Sequence, residues 1–255
     1  MQLEGSVALV TGSATRVGKS IAMELADVGA NVVVHYRDSA DAANATVAEL
    51  QARGVEALAA SADLADPQAI EQLFETVAEH FGRLDVLVNS AAIFQKRSLE
   101  RATLEDWERT IAVNLRAPFL CLQHAARLMR ADGRVDSEPG LVVNMADLSG
   151  VYPWLGYGVH GVSKAGVLHL TRVGARELAP QVRVNAIVPG AILPPPGMSA
   201  DSDGWRSMGA SVPLGRVGEP AMIGRAVVFL AEADYITGAA IPIDGGEHLV
   251  GAARH

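Results

Sequence analysis

Residues 7–18 read VALVTGSATRVG, and they decide the fold. Val7 to Val10 make a short β-rich apolar run, and the chain then turns into an amphipathic stretch. Gly12 permits the tight turn, while Gly18 lets the following helix pack closely against the strand. A helix that starts there offers unpaired N–H groups to an anion such as a pyrophosphate. As a glycine motif the turn is incomplete, because Arg16 stands where a middle glycine is expected. Its context supplies what the motif lacks: a strand before it, a helix after it, and a second strand at Val32 to Val34.

The same alternation continues outward. Val86 to Val88, Leu141 to Val143 and Val184 to Val188 read as further buried strands. Continuous Val/Ile/Leu runs of this kind suit a parallel sheet covered on both faces. Between them lie helices with recognisable starts. Asp66-Pro67 offers an N-cap followed by proline in the first turn, and Thr103 with Asp106 forms a capping-box pattern ahead of Trp107. The expected fold is a single α/β domain over 1–255, a Rossmann-like doubly wound parallel sheet. Pro189 to about Gly218 reads as one long irregular stretch, and its place after a strand's carboxyl edge predicts a substrate loop over roughly 190–218.

Bulk properties narrow the function. The 255 residues carry a formal net charge of −8, which argues against nucleic acid as a partner. Cys121 is the single cysteine, so no internal disulfide can form, and a buried apolar role is expected for it. The opening Met1-Gln2-Leu3-Glu4-Gly5 lacks the build of a signal peptide, and no apolar run reaches membrane-spanning length. A cytoplasmic protein with no membrane partner is expected, and no metal site is predicted.

The residues after the second strand bear on nucleotide choice. Sites for NAD place a carboxylate there to hold the ribose 2′-hydroxyl. This chain has His35-Tyr36-Arg37-Asp38-Ser39, with His35 at the acidic position. Arg16 and Arg37, with Ser39 as a hydroxyl donor, suit a 2′-phosphate and hence NADP(H). Asp38 is the discordant charge among them.

Residues 141–172 read LVVNMADLSGVYPWLGYGVHGVSKAGVLHLTR. Tyr157, His160 and Lys164 are spaced to share one helix face. The segment resembles the catalytic region of the short-chain dehydrogenase/reductase family, whose signature is a serine, twelve residues, then Tyr-x-x-x-Lys. The likeness covers essentially the whole chain. It includes Asp63 with Leu64 after the third strand, Asn89-Ser90-Ala91-Ala92 after the fourth, Asn114, Pro189-Gly190 and Asp244-Gly245-Gly246. The resemblance implies cofactor contacts from Gly12, Arg16, Val17, Gly18, His35, Tyr36, Arg37, Ser39, Asp63, Leu64, Asn89, Ser90, Ala91, Lys164, Pro189 and Gly190. It also implies that Asp63 binds adenine, that Asn114 holds a proton-relay water, and that Pro189-Gly190 borders the nicotinamide.

Two positions depart from the signature. With Lys164 fixing the register, His160 occupies the tyrosine position and Asp147 the serine position. Aspartate there is similar to the pteridine reductase branch, as are Arg16 in the turn, the His-Tyr-Arg stretch, Tyr157, and Phe94 where a pterin is stacked. The resemblance implies an NADPH-dependent reductase acting on a C=N bond of a dihydropterin or similar flat heterocycle. Phe94, Asp147 and Tyr157 are the expected substrate contacts. The proton could come from Asp147, from His160, through water, or from the Tyr157 phenol. A carbonyl or oxoacyl reductase is the alternative, and a catalytically silent NADP(H)-binding protein is a third. Relatives imply a homotetramer assembled through helices running roughly 104–130 and 154–179.

Overall fold

The computed structural model describes residues 1–131, 138–195 and 197–250. Seven parallel strands form one sheet in the order β3-β2-β1-β4-β5-β6-β7. They are β1 (Val7–Val10), β2 (Asn31–Tyr36), β3 (Ala57–Ser61), β4 (Val86–Asn89), β5 (Gly140–Met145), β6 (Val182–Pro189) and β7 (Ala240–Ile243). The helices are α1 (Arg16–Asp27), α2 (Ala40–Gln51), α3 (Pro67–Phe81), α4 (Leu104–Ile111), α5 (Ala117–Ala131), α6 (Gly158–Leu178), α7 (Asp203–Ser211), α8 (Pro220–Glu232) and α9 (Glu247–Val250).

The apolar runs serve both faces of the sheet. Ala8 and Val10 of β1 point into a core shared with Ile21, Leu25 and Ile223, on the side covered by α1, α2 and α8. Val7 and Leu9 point the other way, towards Phe74 and Cys121 on α3 and α5. The same split recurs at Val32/Val33, Val86/Leu87 and Leu141/Val142. Each large side chain so buried contributes about 1.5–3 kcal/mol, so alternate residues cement two different layers. Cys121 is fully buried, and burial pushes its thiol up to about 12.

Both anticipated helix starts form. Asp66 accepts a hydrogen bond from Gln68 N with Pro67 following, and Thr103 makes a reciprocal capping box with Asp106.

Three boundaries differ from the sequence reading. The helix expected over 104–130 is interrupted by a π-helical segment, Ala112–Arg116, that carries Asn114. Such π-bulges cluster at functional sites. The helix expected from 154 begins at Gly158, leaving Tyr157 as its N-cap residue rather than a member of its face. The stretch after Pro189 is not wholly irregular. It contains α7, started by the Ser202 side chain accepting from Trp205 N and anchored by buried Trp205.

The strand order reverses between β1 and β4, which opens a crevice at their carboxyl ends. Thr11 Oγ1 closes the floor of that crevice by accepting from Ser90 N at 2.9 Å and Ala91 N at 3.0 Å.

Candidate active site

A cleft of about 330 Å³ lies over the β1–β2–β3 edge of this crevice. Gly12, His35, Tyr36, Arg37, Ser39, Asp63, Leu64 and Ala91, all expected cofactor contacts, line it. The turn beneath needs its glycines. Gly12 has φ +67°, and a Cβ on Gly18 would lie 2.3 Å from Gly12 O, a distance no side chain tolerates. The geometry therefore suits a dinucleotide whose pyrophosphate meets the start of α1.

The charges around the cleft are arranged less simply than expected. Arg37 Nε is 2.5 Å from the Asp38 carboxylate, with both side chains largely exposed. Arg16 does not line the cleft. Its guanidinium donates to Pro194 O at 3.0 Å, tying the turn to the segment after β6. Asp63 caps its own turn through Ala65 N and lies 3.9 Å from Arg109. Asn89 points inward and donates to Asn144 Oδ1 at 2.9 Å. Gly190 N donates to Ile243 O, and a Cβ there would strike Glu247 Oε2.

Asp147 and His160 meet at the carboxyl end of β5. His160 Nε2 is 2.6 Å from Asp147 Oδ2, and Nδ1 is 3.0 Å from Ile93 O. Asn114 Nδ2 lies 3.0 Å from the same carbonyl, 3.2 Å from Ser163 Oγ and 3.3 Å from His160 Nδ1. If its two hydrogens serve the two nearer oxygens, both nitrogens of His160 face acceptors. That pattern suits an imidazolium paired with a carboxylate. The other Asp147 oxygen accepts from Ser149 N at 2.9 Å and Ser149 Oγ at 2.5 Å, capping a 3₁₀ turn.

The electrostatics follow from this packing. Burial opposes ionisation of Asp147, yet hydrogen bonding from His160 and the nearby Lys164 charge prevail, holding its carboxyl below the usual range. Burial lowers Lys164 despite the attraction of Asp147, and Lys164 Nζ donates to Met145 O at 2.7 Å. Only 2% of the His160 side chain is exposed against 17% for Asp147, so the carboxylate is the outward member of the pair.

Aromatic rings close over it. Phe94 stacks on Tyr157 with centroids 4.7 Å apart and meets His160 edge-on at 4.9 Å. Trp154 abuts Tyr157 at 6.0 Å, and Lys96 Nζ lies 5.9 Å from the Tyr157 centroid. Burial raises the Tyr157 phenol above its ordinary value, making it a weaker acid. Ser149, Ile93, Trp154 and Lys96 escaped the sequence reading. Ser149 had a signal in the Asp-x-Ser spacing that favours side-chain turns, whereas Ile93 acts through its carbonyl and had none.

A second cavity, about 510 Å³, is lined by residues including Ile192, Leu214, Met222 and Pro242. Neither Asp147 nor His160 borders it. Among the described residues no cluster of His, Cys, Asp or Glu is placed to hold a metal, and no helix is long and apolar enough to cross a membrane.

Residues 12–248 match the family model described as Enoyl-(Acyl carrier protein) reductase. The chain is 38% identical over 253 residues to a 3-oxoacyl-[acyl-carrier-protein] reductase of Synechocystis sp., covering 96% of this chain and 97% of the relative. A short chain dehydrogenase from Burkholderia cenocepacia, solved in complex with NADP, superposes with TM-score 0.88 at 35% identity over 97% of this chain and 99% of that one. A blue fluorescent protein from a metagenomic library, solved with NADPH, gives 0.87 at 34% identity over 97% and 100%.

Proposed function

We propose that this chain, which belongs to the short-chain dehydrogenase/reductase family, reduces a C=N bond of a dihydropterin or similar flat heterocycle with NADPH. It is an NADP(H)-dependent oxidoreductase, and two solved neighbours at 34–35% identity hold NADP or NADPH. The observation that carries the substrate reading is the 2.6 Å Asp147–His160 contact beneath Phe94 and Tyr157.

Bound NADPH would supply the hydride. In this reading Gly12 and the start of α1 hold the pyrophosphate, while Arg37 and Ser39 take the 2′-phosphate. Lys164 holds ribose hydroxyls. The Asp147–His160 pair holds one transferable proton on the line between Oδ2 and Nε2. Asp147, as the outward member, relays this proton from His160 Nε2 to the substrate nitrogen as the neighbouring carbon is reduced, which leaves His160 neutral. The pair then carries one negative charge, which the Lys164 ammonium offsets. Asn114 and Ile93 keep the imidazole in register. Phe94, already edge-on to His160, offers its ring to a flat substrate. The 190–218 loop covers the site, and the assembly is a homotetramer.

A second reading, reduction of an oxoacyl or other carbonyl group, is favoured by the name of the Synechocystis relative. Here the Asp147 carboxylate would repel a developing alkoxide unless the pair kept its proton. NADPH oxidation by dihydrobiopterin or dihydrofolate, set against an acetoacetyl thioester, separates the two. Turnover with the pterins is expected. Turnover with the thioester alone would establish the second reading, and binding of NADPH without any turnover would leave a silent binding protein.

A further inference from the structure

His35 occupies the position that in NAD sites reads the ribose, yet its ring faces the glycine turn. Gly12 N donates to His35 Nδ1 at 2.9 Å, and His35 Nε2 meets Ala62 O at 3.0 Å. A backbone N–H can only donate and a carbonyl can only accept. The ring is therefore neutral, with its single proton on Nε2. Ser13 N donates to the His35 carbonyl at 3.0 Å, so one residue takes both amides at the start of the turn. His35 is 2% exposed, and burial disfavours its charged form.

We propose that His35 is a positioning residue for the cofactor turn: its Nδ1 lone pair fixes the Gly12 amide before the dinucleotide arrives. This rests on the reading of the cleft as a dinucleotide site and extends it. The turn is tied to β2 twice at this residue, by the His35 carbonyl at Ser13 and by the imidazole at Gly12, and discrimination of the 2′-phosphate falls to Arg37 and Ser39. Because the pyrophosphate is common to both cofactors, the strut serves NADPH and NADH alike.

Two substitutions each imitate half of the ring. The carbonyl oxygen of asparagine stands near Nδ1 and can accept from Gly12, whereas the amide nitrogen of glutamine stands near Nε2 and can donate to Ala62. By calorimetry, His35→Asn is expected to bind both dinucleotides nearly as the parent does. His35→Gln should lose roughly fivefold to tenfold for both, the scale of one hydrogen bond. Equal losses in the two variants, or none in His35→Gln, would overturn the proposal.

Ring ¹⁵N NMR of the cofactor-free parent judges the strut without any ligand or variant. An unprotonated Nδ1 and a protonated Nε2 are expected at neutral pH, and a protonated Nδ1 would refute it. Should the parent bind no dinucleotide, the functional reading falls while this measurement still decides the strut.

Discussion

Asp147 caps a 3₁₀ turn with one oxygen and holds His160 with the other. Replacing it with alanine would confuse these roles, because a lost cap alone costs about 1 kcal/mol. Asp147→Asn keeps an oxygen for Ser149 but has no acidic proton. Its kcat for pterin reduction should fall by roughly 10²–10⁴, the usual share of a general acid, while calorimetry finds NADPH affinity little changed. Full activity would reject the proton role. Arg37→Ala should weaken NADPH far more than NADH in the same titration, and equal losses would show that Arg37 does not read the phosphate. His35 adds a pH signature. Burial holds its folded-state pKa below the ordinary 6.5, so the unfolded chain binds this proton more readily. Its contribution to stability is complete above pH 6.5 and declines as pH falls below that value. Denaturant melts between pH 7.5 and 5 should show the decline in the parent and less of it in His35→Asn. At this scale the register from Lys164 sufficed to place Asp147 and His160 together. The reach of Arg16 to Pro194 O was not legible, because a long flexible side chain has many partners open to it and this one lies 178 residues away in sequence.

Among the elements, the β1–α1 turn has the least tolerance. A methyl on Gly18 would lie 2.3 Å from Gly12 O and 2.9 Å from Ser13 Cα, both backbone atoms that cannot yield cheaply. Gly18→Ala should therefore lower stability by about 1–3 kcal/mol, the range for overpacking, and thermal melting measures it. Arg16 sits at φ +57° in the same turn, where glycine is at ease. Arg16→Gly should raise the melting temperature while speeding amide exchange at Ile192 and Leu193, which a merely decorative arginine would not do. Elements rich in β-branched residues were readable from sequence. β3, with ALAAS, lacks that signature, and in β7, with AIPI, Pro242 interrupts the two isoleucines; both are strands because neighbours pair with them. α7 was hidden for the opposite reason: its Gly and Ser composition reads as loop, and the burial of Trp205 overrides it. The π-helical turn at Asn114 has no local sequence signal.

For the whole molecule, a sheet whose order reverses at β1 and β4 places every candidate group along one edge: the cofactor turn, the Asp147–His160 pair and the loop after β6. Leu104, Phe119, Val162 and Val173 remain exposed on α4, α5 and α6. Sedimentation should find a four-chain species at micromolar concentration, and a monomer would remove the assembly from the account. The most direct measurement is isothermal titration of the purified protein with NADPH and with NADH. NADPH should bind more tightly by at least about tenfold, or ~1.4 kcal/mol, through Arg37 and Ser39. Equal affinity, or no heat with either, would contradict the claim that this cleft grips a 2′-phosphorylated dinucleotide.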